Sequence, residues 1–144
     1  MVNAKKLNPE SSLPYKYLGI SQLDAFYNFK AAITEMESYV AMEPRDEFGH
    51  KYLGYLYLCE KRYRDAIDEF QKALELSPDN IYARTKISRA YAGLFLSALK
   101  KGPANMDYKT QAIEMYQNAA VRAHQDSRRL RWLQDFLKKS GILE

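Results

Sequence analysis

Cysteine is almost missing from this chain: one in 144 residues, Cys59. A single thiol excludes an internal disulfide framework and suits a reducing compartment. Cys59 falls at an apolar helix end and reads as a small buried hydrophobe rather than a reactive thiol. Histidine is nearly as scarce. His50 and His124 have no ligand or nucleophile at useful spacing, and no CxxC, HExxH, GxSxG or phosphate-loop pattern occurs. The expectation is a protein that is not an enzyme, with no metal and no cofactor; its carboxylates fall at helix starts and outer faces. No apolar run reaches the roughly 18 residues of a membrane span. Residues 1–10 carry two lysines with no apolar core after them, so no secretion signal and a cytoplasmic location are expected. Alternation of β-branched residues is too short for a sheet, and the five prolines and six glycines sit mostly between helical patterns. An all-α fold follows.

Charge of one sign is also limited overall, with 22 basic against 18 acidic side chains and a net +4. The excess gathers near the C-terminus, where Arg122, Arg128, Arg129, Arg131, Lys138 and Lys139 face only Asp126, Asp135 and Glu144. Such clusters are usually solvated helix faces. The alternative is a basic patch of Arg122, Arg128, Arg129 and Arg131 that meets an acidic partner or nucleic acid.

What the chain does have is helical spacing, clearest over residues 50–78. Leu53, Gly54 and Tyr57 share one side of a first helix, and Ala66, Phe70 and Ala73 share one side of a second, because residues three and four apart lie on one face. Gly54 and Ala66 allow close approach where Tyr57 and Phe70 need room, and Pro78 stops the second helix. This order of residues, Leu53, Gly54, Tyr57, Ala66, Phe70, Ala73 and Pro78 with Tyr63 opening the second helix, resembles the tetratricopeptide repeat, a helix-turn-helix of about 34 residues. One signature place departs: His50 stands where the family commonly has tryptophan.

Flanking segments read as variants of that unit. The KYLG of residues 16–19 recurs at 51–54, and Ala32, Ile33, Met36, Val40 and Pro44 correspond to Ala66, Ile67, Phe70, Leu74 and Pro78. Residues 14–23 and 27–42 are then a first helix pair, with Tyr39 where the small Ala73 would be expected. A rival reading makes 13–43 one long helix, with a capping box from Ser21 to Asp24. A third repeat starts at Ile81, keeps Tyr91 in the place of Tyr57 and Ile87-Ser88 in that of Leu-Gly, and carries an insertion near 93–106 that lengthens its first helix until it projects beyond the stack. Its second helix, bearing Ala112, Ile113, Tyr116 and Ala119, continues to about Gln125. Asp126-Ser127 then cap a last helix whose stripe of Leu130, Leu133 and Leu137, with Trp132 and Phe136 beside it, is read as packing. The expected organisation is a flexible arm over 1–12 and one domain over 13–140: a short right-handed solenoid of antiparallel helix pairs with about three tetratricopeptide-like repeats, 13–46, 47–80 and 81–125, closed by a capping helix over 127–140.

The resemblance implies a binding scaffold whose first helices line a concave groove. Carried onto this chain, the central repeat offers Phe48, Lys51, Tyr52, Tyr55 and Leu58, the third Tyr82, Thr85, Lys86, Arg89 and Ala92, and the first Lys16, Tyr17 and Ile20. Tyrosines give contact area at low entropy cost and cations hold carboxylates. The expected partner is therefore another protein, through an extended or helical peptide segment with acidic and apolar side chains, anchored by Lys51, Lys86 and Arg89 and stacked on Tyr52, Tyr55 and Tyr82. Several of these tyrosines are expected also to fill seams between repeats. Family members that grip a chaperone's terminal carboxylate use asparagines where this chain has Tyr55 and Lys86, so that ligand is not expected. Competing readings are a small chaperone or assembly factor acting as a homo-oligomer, a homodimer through an exposed repeat edge, and nucleic-acid binding through the basic C-terminal helix.

Overall fold

The structure is a computed structural model, and it describes residues 5–6, 8–103, 105–123 and 128–144. Seven helices run through the described residues from Leu13 on: α1 Leu13–Phe26, α2 Phe29–Met42, α3 Glu47–Cys59, α4 Tyr63–Leu76, α5 Ile81–Leu99, α6 Met106–Arg122 and α7 Arg128–Lys139. They stack as antiparallel pairs α1/α2, α3/α4 and α5/α6, with α7 against α5 and α6. This is a short all-α solenoid of three helix pairs closed by a terminal helix.

The first segment is a pair and not one long helix. Tyr27 turns left-handed, with φ 49°, and the amides of Tyr27 and Asn28 donate to the carbonyls of Leu23 and Gln22, which closes α1. Asn28 then opens α2, its side chain accepting from the Ala31 amide at 3.1 Å. Ser21, the proposed cap of the rival reading, lies inside α1 and donates back to the Leu18 carbonyl at 3.1 Å. Asp46, Asn80 and Asn105 cap α3, α5 and α6 through bonds from Phe48, Ala83 and Asp107 amides at 3.0, 3.0 and 2.9 Å. The cap assigned to Asp126-Ser127 lies outside the described residues, as does His124. Before α1, Ser12 is buried and its hydroxyl donates to Glu43 at 2.7 Å, while Lys5 pairs with Glu35 and covers the Tyr15 ring.

Pairing within each repeat rests on a small residue meeting a large one. A Cβ placed at Gly54 would lie 3.0 Å from the Phe70 ring, and one at Gly19 would lie 2.8 Å from the Met36 side chain. Ser88 takes the same place in the third pair and donates its hydroxyl to the Ala112 carbonyl at 2.6 Å, fully buried. Tyr39, the large residue where a small one was expected, is accommodated by Gly49 on α3: a Cβ there would lie 3.0 Å from its ring. The Tyr39 hydroxyl donates to Asp46, so the phenol is satisfied as well as packed.

Two hydrophobic clusters run along the stack. One joins α2, α3, α4 and the start of α5 around Met36, Leu53, Leu56, Phe70 and Ile87; the other joins α5, α6 and α7 around Phe95, Ala112, Leu133, Leu137 and Ile142. Phe95, on the lengthened part of α5, is buried in this second cluster with Leu133 and Leu137. The extension therefore does not simply project: its inner side is covered by α7, and only its tip is bare, at half-exposed Leu99. α6 ends at Arg122, three residues before the expected Gln125.

His50 was expected to have no ligand at useful spacing, and the carboxylates to lie at helix starts and outer faces; His50 and Glu69 are instead both buried, and they meet. Nδ1 of His50 lies 2.7 Å from the Glu69 carboxylate, Nε2 donates to the Pro44 carbonyl at 2.9 Å, and Lys72 reaches Glu69 at 2.7 Å. At the place of the family's early aromatic, a polar ring thus ties α3 to α4 and to the turn before α3. Glu69→Ala should cost about 1–3 kcal/mol in urea unfolding by stranding a buried partner, whereas the double change His50→Phe with Glu69→Leu should cost less than Glu69→Ala alone. Equal or larger loss in the double variant would mean that the bond is incidental to the packing.

Candidate functional site

α1, α3 and α5 lie side by side as the first helices of their pairs. The stretches of α3 and α5 that face away from α4 and α6 carry tyrosine and cations, and they line two neighbouring cavities. A cavity of about 510 Å³ is lined by Phe48, Lys51, Tyr52 and Tyr55 from α3, Tyr82 from α5 and Arg129 from α7. A second, of about 320 Å³, is lined by Thr85, Lys86 and Arg89 from α5 and by Arg128, Arg129 and Trp132 from α7. Arg129 borders both.

The first cavity is an aromatic slot. Phe48 stacks on Tyr52 at 5.6 Å between ring centroids, Tyr52 tilts against Tyr55 at 6.5 Å, and Tyr82 meets the buried Phe70 edge-on at 6.1 Å. Tyr52, Tyr55 and Tyr82 also pack against the core, so each fills a seam with one side and faces the cavity with another. Burial, with Tyr55 nearby, pushes the Tyr82 phenol up to about 12. A hydrogen bond with the Cys59 thiol raises Tyr55, and burial followed by the field of Asp24 raises Tyr52. These phenols are neutral donors at physiological pH.

Cations cover the rings. The Lys86 ammonium lies 5.1 Å from the Tyr82 centroid and 5.8 Å from that of Tyr55, and the Arg129 guanidinium lies 5.4 Å from Tyr82. Arg89 sits 5.1 Å over Trp132, whose other neighbour is Phe136, stacked at 5.6 Å. Such contacts orient a cation over a ring face without neutralising it. Burial, and then repulsion from Arg89, holds the Lys86 ammonium below its usual value of 10.5.

All six expected groove residues line one or the other cavity: Lys51, Tyr52, Tyr55 and Tyr82 the first, Lys86 and Arg89 the second. Lys51 is paired with Glu47 at 2.9 Å. Leu58 and Ala92 do not face the groove; both are core residues, because α3 and α5 turn them toward their packed neighbours. Thr85 reaches the second cavity although buried, its hydroxyl donating to the Tyr82 carbonyl at 2.8 Å. From α1, Lys16 is drawn onto Asp46 at 3.3 Å and over the Phe48 ring at 4.5 Å, while Tyr17 is half exposed and Ile20 partly buried, neither lining these cavities.

The expected basic patch is divided. Arg128 and Arg129 turn into the groove, Arg131 is exposed on α7, and Arg122 lies at the end of α6 beside Asp79 at 3.9 Å. Trp132, read as packing, is half exposed and lines the second cavity. Cys59, read as buried, is exposed at the end of α3. The contribution of α7 to the groove was missed because spacing along one helix does not say which neighbour it reaches. The signal that existed was arginine at residues 128 and 129, in the first turn of a helix, where a cation opposes the dipole.

Both nitrogens of His50 are engaged, and among the described residues no group of three or more His, Cys, Asp or Glu side chains converges as metal ligands would. No helix among them is long and apolar enough to cross a membrane.

Stacked helix pairs with aromatic and cationic side chains along one face define a helical-repeat fold. Residues 48–80 match the tetratricopeptide repeat. In overall fold the chain is similar to MamA, with a TM-score of 0.75 at 18% identity, over 97% of this chain and 74% of that one. It is also similar to the tetratricopeptide domain of Arabidopsis OM64, with a TM-score of 0.68 at 15% identity, over 90% of this chain and 96% of that one. No curated protein matches in sequence. Residues 48–80 are thus matched as one tetratricopeptide repeat, set in a fold of stacked helix pairs that the chain shares with these two structures.

The lowered Lys86 has a stability consequence. Folding disfavours its charged form, so the cost is present below the folded-state value and disappears as pH rises past 10.5. Lys86→Met should therefore unfold at higher urea than the wild type at pH 7, with the gain shrinking as pH rises toward 10.5 and lost above it. A destabilised variant at pH 7 would mean that the ammonium is satisfied in the folded chain.

Proposed function

We propose that the protein is an adaptor that binds a peptide segment of a partner protein in the groove, with apolar side chains on Tyr52, Tyr55 and Tyr82 and acidic ones on Lys86 and Arg89. The observation that carries this reading is the meeting of an aromatic cavity and a cationic cavity at Arg129, with no acidic side chain among the described residues that line either. Aromatic walls supply apolar contact that salt does not screen, and the cations select negative charge. Lys51 stands at the rim, already paired with Glu47, and contributes less to such a contact than Lys86 or Arg89.

Selection of a displayed random-peptide library against the protein tests the reading. Enriched peptides should combine acidic with aromatic or aliphatic residues. Their affinity should fall about tenfold or more in Tyr55→Ala and in Arg89→Ala, both with unchanged helix content, as hot-spot truncations of about 1.4 kcal/mol or more do. Part of the affinity should survive high salt, unlike phosphate-backbone binding, which falls steeply with it. Selection without an acidic and apolar consensus, or binding indifferent to both variants, would remove the groove from the function.

A further inference from the structure

Lys86 and Arg89 on α5 and Arg128 and Arg129 on α7 converge on one cavity of about 320 Å³ whose other described walls are Thr85 and Trp132. None of the four forms an ion pair among the described residues. Elsewhere cations have partners: Lys16 has Asp46, Lys51 has Glu47, Arg62 has Asp65 and Lys72 has Glu69. Here the positive charges instead face one another, with Lys86 half-buried and repelled by Arg89 and Arg129. Helix polarity sharpens the contrast. α3, α4 and α6 place Glu47, Asp65 and Asp107 in their first turns, whereas α7 begins Arg128-Arg129 at its positive end. A cluster that local electrostatics opposes from two elements is what a negatively charged ligand would offset.

We propose that this cleft between α5 and α7 is the seat of a dianion, and that in the bound peptide the dianion is a phosphorylated side chain. The proposal rests on the peptide-binding reading of the groove and adds the chemistry of one residue of that peptide. Four converging cations exceed what one carboxylate neutralises, while a phosphate monoester carries close to two charges and three strong acceptor oxygens. Arg89 of α5 and Arg128 and Arg129 of α7 line the cavity in which those oxygens would sit. The cavity is larger than the ion alone, so the carbon chain bearing it fits against Trp132, and the neighbouring aromatic slot receives an adjoining apolar residue. A single carboxylate would leave most of the cluster uncompensated, and a nucleic-acid phosphodiester carries only one charge per phosphate.

Trp132 is the only tryptophan of the chain and lies in the seat under Arg89, so its fluorescence reports occupancy. The probes are the pentapeptide Gly-Phe-X-Phe-Gly with X phosphoserine, glutamate or serine, together with inorganic phosphate and an oligothymidylate, all at one ionic strength. Saturable binding is expected for the phosphoserine peptide, at least tenfold tighter than for the glutamate or serine peptide and than for inorganic phosphate. Arg128→Gln and Arg129→Gln, with unchanged helix content, should each weaken it at least tenfold.

Several results would overturn the assignment. Equal affinity for the glutamate peptide would make the seat a carboxylate site. Inorganic phosphate binding as tightly as the peptide would make the ligand a free anion, and tighter oligothymidylate binding would make it a nucleic acid. No saturable signal from any probe, or no loss in the arginine variants, would leave no seat at all. In each case library-selected peptides that still depend on Tyr55 and Arg89 would keep the adaptor reading standing, so the two fail separately.

Discussion

The closeness of the two helices in each pair is the constraint on which the rest depends. Gly54 brings α3 against the ring of Phe70, and the fully buried ring leaves no room for a Cβ to enter without displacing it. Because that distance is short, α3 and α4 behave as one unit, and stacking such units sets α1, α3 and α5 side by side. The aromatic slot follows from this alignment: Tyr52 and Tyr55 come from one first helix and Tyr82 from the next, and only a fixed spacing between units lets Tyr82 lie edge-on to Phe70 while facing the slot. The chain keeps the constraint while changing its chemistry. Gly19 meets Met36, and in the third pair Ser88 replaces the contact with a buried bond to the Ala112 carbonyl. A size exchange at Gly49 and Tyr39 preserves the spacing between the first pair and the second.

The terminal helix solves two problems with opposite faces. Leu133 and Leu137 cover the second core cluster, which would otherwise leave Phe95 and Ala92 open to water at the end of the stack. Its other side brings Arg128, Arg129 and Trp132 to the groove. A capping helix needs only a polar outer face to stay soluble, and lysine or glutamate on its surface would serve. Arginine at the positive end of that helix, turned toward Lys86 and Arg89, does nothing for capping and works against it electrostatically. The groove is thus closed on one side by an element whose packing is structural and whose charge is not explained by packing.

Much of this was legible in sequence, and the reason is local. Register within a helix pair is written in residues close along the chain, so Leu53, Gly54, Tyr57, Ala66, Phe70 and Ala73 announce the central repeat, and the recurring KYLG announces the one before it. Lys51, Tyr52 and Tyr55 came from the family resemblance carried along that register, and helical spacing sets the three together on the side of α3 that lines the first cavity. Leu58, near the end of α3, and Ala92, midway along the lengthened α5, fail the same extrapolation: Leu58 belongs to the first core cluster and Ala92 to the second, with Leu133 and Leu137 of α7. Contacts between distant elements were not legible. Nothing near His50 in sequence indicates Glu69, and nothing near Arg129 indicates Tyr82, because each meeting depends on how two helices cross. Cys59 was misread because its neighbours in sequence are apolar, while its position is the last residue of α3, where the chain turns outward.

Laying cations on aromatic faces rather than pairing them with carboxylates matters for how such a groove could bind. A cation in an internal ion pair must break that pair before it can hold a ligand, and the exchange gains little. Lys86 over Tyr82, Arg89 over Trp132 and Arg129 over Tyr82 are held in place by rings that cannot compete for their charge. Their hydrogen-bond donors are therefore positioned in advance, and the side-chain entropy lost on binding is reduced. The chain bears a corresponding cost as burial of Lys86 and its repulsion by Arg89 and Arg129 at the α5/α7 cleft. That cost falls outside the α3/α4 unit whose close packing sets the fold, so the charged surface can be strained without loosening the framework that shapes it.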